Sequence, residues 1–434
     1  MRAYNEFILI CDSFPPSALG HSQRVAKLCK YLPKVSNWIP TVLCGEYQEI
    51  TGYDKDLLDE IPKKIKVYRI KGFESNSFYN KVRGTFLGKI IYQSRKLYRF
   101  PDHRVDWARN VFKFAIRKFG RSNKFKLIFA SGPPRSAYIA GFWLSKYWNK
   151  PLIIDMRDPW EPYYMSRRYT PLHRIINSYI EKEIYYHSKF IIANTEGNKK
   201  MILEKFPQLE NKIAVIPNGY DPDDMNPHIG PSLKSNLETV DLLYLGGLRG
   251  KIPSGDIFEG PFLRMLQGLL EIEYQLRKKL RVHFVGSDGK PVINYIKKLG
   301  LDDICIFYGP VSTKEVGRPL KEADACVVIL NPEAENSGCV PAKIYYYLAS
   351  GKPILAISPE CELTKLIRKY SSIYEIIHPN DIKDISKAIN FIKIISEKNC
   401  ITYMPQRNLN EFSREHIAKK ISEVFNIIVK NGNR

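Results

Sequence analysis

NPEAENSGCVPAKIYYYLASGKPILA, from Asn331 to Ala356, decides the fold of this chain. The uncharged run Ala325–Leu330 precedes it, and a second uncharged run, Pro353–Ile357, overlaps its end. The spacing predicts a strand, a polar loop, one short helix, a turn at Gly351 and another strand. Pro341 should open the helix, because its fixed φ suits a first helical turn. The unpaired N–H groups of that turn would point into the loop, where they attract anions, phosphates above all. Two uncharged strands flanking one helix are what a buried parallel sheet requires.

The same alternation runs outward in both directions. Strand-length apolar runs recur at Phe7–Cys11, Thr41–Cys44, Ile65–Ile70, Leu127–Ala130, Leu152–Asp155, Phe190–Ala193 and Ala214–Ile216. A second series follows at Leu242–Leu245, Val282–Val285, Ile304–Phe307, Cys326–Leu330, Ile354–Ile357 and Tyr374–Ile377. Stretches with helical spacing lie between them, as with Val25, Leu28, Cys29 and Leu32. Strands alternating with helices mean βαβ units and parallel sheets, so the fold class is α/β. At 434 residues the chain is too long for one ordinary core. The turn-rich segment Ile216–Pro227 divides the two series.

Ligands of open α/β sheets bind beyond the carboxyl ends of the strands. The loops in that position are Asp12–Gly20, Ser131–Ser136, Met156–Trp160 and Asn194–Asn198 in the first half. In the second they are Gly246–Lys251, Gly286–Gly289, Tyr308–Ser312 and Asn331–Gly338. In GGLRGK, Gly246 and Gly247 would let a pyrophosphate approach the backbone, and Arg249 and Lys251 would neutralise its charge. Charge builds on such a leaving group in a transferase, so these two residues are read as catalytic. Asp158 and Arg157 follow a buried strand, where a catalytic or acceptor-orienting carboxylate belongs, so Asp158 is counted with the catalytic residues, although the two could simply pair. The short GSDG at Gly286–Gly289 and the absence of G-x-G-x-x-G after the first strand argue against a dehydrogenase. Walker A, kinase and H-E-x-x-H signatures are absent as well.

Pro341, Lys343, Tyr347, Leu348, Ala349, Gly351, Pro353, Ile354 and Leu355 fall on the pattern P-x-K-l-x-E-Y-l-A-x-G-x-P-i-l. That stretch resembles the donor-binding segment of family-4 glycosyltransferases with the GT-B fold, and IPNGYDPDDMNP resembles their interdomain linker. The resemblance implies two Rossmann-like domains facing across a cleft. Residues 1–215 would form an acceptor domain and 216–405 a donor domain. Residues 406–434 would supply a helix, about Glu411–Val429, that crosses back to the first domain. It implies donor contacts at Gly20, Gly246, Gly247, Gly338, Cys339, Val340, Pro341, Lys343 and Tyr346. SGPPRS and DMRDPW resemble acceptor-side motifs of enzymes that build cell-surface polysaccharides, which adds Arg135 and Arg157. FPPSALGHSQR resembles the family's Gly-rich loop after the first strand, which would admit the donor diphosphate or the acceptor, with His21 on the acceptor side.

The family's Glu-x7-Glu pair would fall on Gly338 and Tyr346, so neither glutamate is present. Tyr346 would keep one hydrogen bond for the ribose, with Glu333 or Glu335 as substitutes. The implied reaction is a retaining hexosyl transfer from a UDP- or GDP-linked sugar to a glycan or lipid-linked saccharide. The leaving phosphate would assist deprotonation, with no metal and no separate cofactor. A sugar-nucleotide 2-epimerase shares the architecture, and the missing glutamates also permit an inactive GT-B scaffold that binds a partner or a membrane.

Lys plus Arg total 67 against 45 for Asp plus Glu, a net charge of +22. Such a surplus favours a polyanionic neighbour or, more blandly, a solvated basic surface. The basic segment Lys81–Lys126, with its interleaved aromatics, suits an anionic membrane face better than nucleic acid, for which no signature is present. It also fits a helix with an aromatic core side. No window of 18 uncharged apolar residues occurs. The expectation is therefore a cytoplasmic protein held peripherally at the inner face of a membrane. The eight cysteines form no C-x-x-C pair and read as buried small hydrophobes in a reducing compartment.

Overall fold

The structure is a computed structural model that describes residues 4–47, 52–72, 85, 101–121, 123–160, 171–233, 238–252, 255–335, 337–381, 385–397 and 408–432. The chain divides into two compact units: residues Met1–Pro217 with Arg414–Arg434, and residues Asn218–Ser413. The domain boundaries expected from the sequence, 215/216 and 405/406, lie near these divisions.

Unit 1 contains β1 (Asn5–Cys11), α1 (Gly20–Val35), β2 (Trp38–Gly45), α2 (Lys55–Asp59), β3 (Lys66–Ile70), α3 (Val105–Phe119), β4 (Phe125–Gly132) and α4 (Arg135–Trp148). It continues with β5 (Leu152–Met156), α5 (Pro171–His187), β6 (Phe190–Ala193), α6 (Glu196–Lys205) and β7 (Ile213–Val215). The strands form one parallel sheet of seven in the order β3-β2-β1-β4-β5-β6-β7. Ile8, Leu9 and Ile10 stand opposite Thr41, Val42 and Leu43 in the centre of this sheet.

Unit 2 contains β8 (Val240–Leu245), α7 (Gly260–Ile272), α8 (Leu276–Lys279), β9 (Leu280–Val285), α9 (Ile293–Lys298), β10 (Cys305–Phe307) and α10 (Gly317–Glu322). Then come β11 (Ala325–Ile329), α11 (Lys343–Ser350), β12 (Ile354–Ile357), α12 (Glu362–Tyr370), β13 (Tyr374–Ile377) and α13 (Ile385–Glu397). Its parallel sheet has six strands in the order β10-β9-β8-β11-β12-β13. The last helix, α14 (Arg414–Gly432), belongs to unit 1.

Each sheet is covered on both faces, which is why its strands carry uncharged Val, Ile and Leu runs instead of alternating ones. In unit 1 the inner turns of α14 complete one core. Phe425 sits 5.0 Å from the Phe7 ring centroid, 5.3 Å from Trp38 and 5.4 Å from Phe129. The cysteines at 11, 29, 44, 305, 326 and 361 are buried and free, and Cys339 is half-buried. Cys400 and the basic stretch 86–100 lie outside the described residues. The remainder of the Lys81–Lys126 segment is mainly α3, whose Trp107, Val111 and Ala115 face the core while Lys113 and Arg117 are exposed.

In both sheets the strand order reverses beside the first strand, between β1 and β4 and again between β8 and β11. Crossover helices leave such a point in opposite directions and open a crevice at the strands' carboxyl ends. The loops leaving these four strands are therefore where a ligand site is expected on topology alone.

Candidate functional site

In unit 2 the loop leaving β8 is held closed from several sides. Gly246 adopts φ +96° and donates its N–H to Val285 O at 2.7 Å. Gly286, at φ +105°, leaves no room for a side chain, because a Cβ there would lie 2.9 Å from Gly246 Cα. Two loops thus cross backbone on backbone, which needs glycine on both. Glu259, fully buried before α7, accepts from Arg249 N at 2.7 Å and Gly250 N at 3.0 Å and braces the loop from within. Burial pushes the Glu259 carboxyl up, against the pull of these backbone hydrogen bonds.

Lys343 reaches the same loop from the first turn of α11. Its Nζ lies 3.4 Å from the Tyr244 ring centroid and 3.8 Å from the position a Gly246 Cβ would take. The residue keeps some open surface, but protein atoms crowd its ammonium. Desolvation draws its pKa down to about 7; Glu259 opposes this and Arg249 adds to it. Arg249 is exposed, with its guanidinium carbon 4.6 Å from the Phe258 ring centroid. The geometry therefore gathers Arg249, Lys343 and the Gly246–Gly250 backbone around one position. Lys251 is exposed on a bridge with Ile257, and among the described residues no contact joins it to Lys343.

Three consecutive tyrosines anchor α11. Tyr345 packs 5.1 Å from Phe412, and the Tyr347 hydroxyl accepts from Leu245 N at 2.9 Å. Tyr346 is buried and donates to Asp224 Oδ2 at 2.7 Å. The reading of Tyr346 as a ribose contact gives way to this bond: its hydroxyl is engaged with a fully buried carboxylate. Tyr346→Glu, which the family pattern suggests as a restoration, would press a second carboxylate against Asp224. It should lower thermal stability and should not tighten nucleotide binding. Tyr346→Phe should cost about 1–3 kcal/mol, because a hydrogen bond to a buried carboxylate is lost, read from the same melting curves.

The helix opens at Lys343, two residues after Pro341, so Pro341 and Ala342 lie in the approach to it. In the loop before it Gly338 is buried, while Cys339 and Val340 are half-buried. Glu333 and Glu335 are exposed on a short 3-10 turn.

In unit 1 a cavity of about 220 Å³ opens at the carboxyl ends of β1, β4 and β5. Asp12, Ser13, Leu19, His21, Asp102, His103, Pro133, Pro134, Arg135, Tyr138, Asp158, Pro159 and Trp160 line it. Tyr138 and Trp160 stack with centroids 5.9 Å apart and form an aromatic wall. Asp102 reaches over from its loop to cap α4, accepting from Ser136 N at 2.9 Å and Ser136 Oγ at 2.5 Å. Asp12 pairs with Arg104. Crowding by protein atoms, then the charge of Arg157, holds the His21 imidazole well below its ordinary pKa, so the ring is neutral at pH 7. Gly20 stands in open space at the start of α1.

Of the acceptor-side residues read from the sequence, His21, Arg135 and Asp158 meet at this cavity, and Arg157 does not. Its guanidinium donates to the backbone carbonyls of Gly132 at 2.8 Å, His21 at 2.7 Å and Pro133 at 3.1 Å. Arg157 clamps three loops, and all its nitrogens are engaged with main chain. Below the cavity, Arg24 and Asp155 form a buried pair at 3.0 and 2.8 Å, and Ser131 Oγ donates to the same carboxylate at 2.7 Å. Asp12, Asp102, His103, Tyr138, Trp160 and Glu259 were not singled out in the sequence. Only position after a strand could have flagged Asp12; the others depend on contacts far apart in the chain.

Comparison with known proteins follows the same division. Residues 20–224 match the model of Glycosyltransferase Family 4, and residues 263–404 match that of Glycosyl transferases group 1. A D-inositol 3-phosphate glycosyltransferase of Geodermatophilus obscurus is 21% identical over 266 residues, 59% of this chain. The chain spans about half the length of this curated relative, 55%. Anabaena HepE, solved with UDP and glucose, superposes with a TM-score of 0.57 at 13% identity, covering 98% of this chain and 100% of its own. Sucrose-phosphate synthase of Thermosynechococcus elongatus gives 0.63 at 13% identity over 98% and 100%. A UDP-N-acetylglucosamine 2-epimerase gives 0.52 at 13% over 99% and 98%, so the fold by itself does not separate transferase from epimerase. The family models do separate them: the chain belongs to the family-4 glycosyltransferases, with the two parallel-sheet units of the GT-B fold.

Proposed function

We propose that the protein moves a hexosyl group, with retention, from a UDP- or GDP-linked sugar to a saccharide acceptor, free or lipid-linked. The observation that carries this reading is the half-neutral Lys343 at the crossing of two glycine loops, with Arg249 beside it. A lysine pulled to about 7 in the empty protein gains most from an incoming anion, and a departing nucleoside diphosphate is such an anion. The leaving phosphate would itself take the acceptor's proton, so Asp158 serves to orient the acceptor.

In unit 1 the stacked Tyr138 and Trp160 offer a flat apolar wall, and His21, Asp102 and Asp158 offer hydrogen-bonding groups at its edge. Sugar rings present one apolar face and a rim of hydroxyls, which fits such a wall. The acceptor reaction would take place at the inner face of a membrane, with the protein held peripherally by its basic surface. Among the described residues no helix is long and apolar enough to cross a bilayer.

Melting in parallel with UDP, GDP, CMP and NAD tests the donor reading. UDP or GDP at about 100 times its Kd should stabilise by roughly 2.7 kcal/mol. Stabilisation by NAD with none from UDP or GDP would sink it. Arg249→Ala should lower transfer at least tenfold without changing the melting temperature of the free protein.

A further inference from the structure

Helix α5 is apolar on two faces, one of them exposed. Leu172, Ile175 and Tyr179 are 64%, 68% and 63% exposed, and Ile176 is exposed beside them. This i, i+3, i+4, i+7 spacing puts all four on one face. The opposite face buries Ile184 and Tyr185 together with Asn177 and Glu181. Glu181 is satisfied there by Lys205. Asn177 Oδ1 accepts from Arg135 Nη1 at 3.1 Å and Trp160 Nε1 at 3.0 Å, two residues that line the unit 1 cavity. A helix that buries one face and still shows four large apolar side chains to water on the other has a partner for the second face.

Charge identifies the partner. Arg174 and Lys182 are exposed on α5 itself. Next to it lies α4, joined through Phe142 against His187 at 5.0 Å and through Ser145 to His187 at 2.8 Å, with Lys146 exposed. Beyond α4 lies α3, joined through Phe112 against Trp143 at 6.0 Å, with Lys113 and Arg117 exposed. The acids on these three helices are Glu181, turned inward, with Asp106 and Glu183, both half-buried. An apolar stripe that carries Tyr179, with Lys182 at its edge and further cations exposed on the neighbouring helices, matches the headgroup boundary of an anionic bilayer. A second copy of this cationic layer would instead repel it.

We propose that Leu172, Ile175, Ile176 and Tyr179 insert into the interface of an anionic membrane. This rests on the saccharide-acceptor reading and narrows it to lipid-linked acceptors. The membrane-facing side of α5 and the side that braces Arg135 and Trp160 are separated by one helix, about 10–12 Å across. An acceptor whose lipid stays in the bilayer would then present its sugar beside the cavity.

The test is co-sedimentation of the full chain with phosphatidylcholine vesicles, with and without 30% phosphatidylglycerol, at 0.1 and 0.5 M NaCl. Binding should require the anionic lipid and weaken with salt as the Debye length shortens. It should fall at least tenfold at both salt concentrations in Ile175→Asp/Ile176→Asp, and also in the milder Ile175→Gln/Tyr179→Gln. Wild-type binding by both variants would overturn the proposal. So would a wild-type dimer that these substitutions dissolve while vesicle binding is absent. The UDP-induced melting shift, measured on each variant, shows that fold and donor site persist. Absence of that shift in the wild type counts against sugar transfer alone and leaves the vesicle result standing.

Discussion

Lys343→Ala is expected to cut sugar transfer by at least ~10²-fold while leaving the fold intact, because a preorganised cation facing developing charge is worth about 2.7–4 kcal/mol. The same lysine predicts a pH dependence that no surface lysine would give. Its pKa in the empty protein is about 7, against about 10.4 for a free side chain. A bound diphosphate favours the ammonium and raises that value, so binding takes up a proton above pH 7. Affinity for UDP should fall by up to tenfold per pH unit above about pH 7. Lys343→Arg, charged throughout this range, should bind with no such slope. Calorimetry in buffers of different ionisation enthalpy reads the proton directly. Equal slopes in wild type and Lys343→Arg would remove Lys343 from the site.

The largest loss of stability is expected at Asp155. Removing its carboxylate takes the counter-charge from the buried Arg24 guanidinium, which keeps its hydrogen bonds to the carbonyls of Ile216 and Pro217, and breaking such a pair from one side costs about 3–5 kcal/mol. For a unit of this size that is a fall of roughly 6–20 °C in the unit 1 melting transition. Arg24→Met/Asp155→Leu, which removes both charges, should recover much of it. Burial raises the Asp155 pKa, but the charge and hydrogen bonds of Arg24 outweigh that and hold the net value below the usual carboxylate range. Its contribution is therefore complete above about pH 4 and is lost as pH falls through the lower folded value. Asp155→Ala should lack this part of the acid transition. If it melts within a degree of wild type, the buried pair does not hold unit 1 together.

The strands were legible because burial on both faces leaves a continuous apolar signature that needs no knowledge of partners. Ile354–Ile357 and Tyr374–Ile377 match their predicted bounds, and β8 and β9 begin two residues earlier than their apolar runs. The regular helix α11 starts two residues after Pro341 because Ala342 already has helical dihedrals but the turn there closes with tighter i→i+3 bonds, Ile344 N to Pro341 O at 3.1 Å and Tyr345 N to Ala342 O at 3.4 Å. Side-chain partnerships were not legible. Tyr346 and Asp224 lie 122 positions apart, Arg24 and Asp155 lie 131 apart, and Arg157 meets the carbonyl of His21 across 136. Local pattern carries no information about such pairs. It names a residue type suited to chemistry, but a buried arginine can equally spend its donors on main chain, as Arg157 does.

Unit 1 is the first to leave the ribosome and the last to be finished, since Phe425 closes the core around Phe7, Trp38 and Phe129. The intervening Asn218–Ser413 takes roughly 10–40 s to synthesise at about 5–20 residues per second. Throughout that time the nascent sheet shows a bare aromatic face, while unit 2, whose residues emerge together, can fold without waiting. The order of folding during translation should thus run against the order of the sequence, and holdase chaperones should be found on nascent chains that end before Arg414.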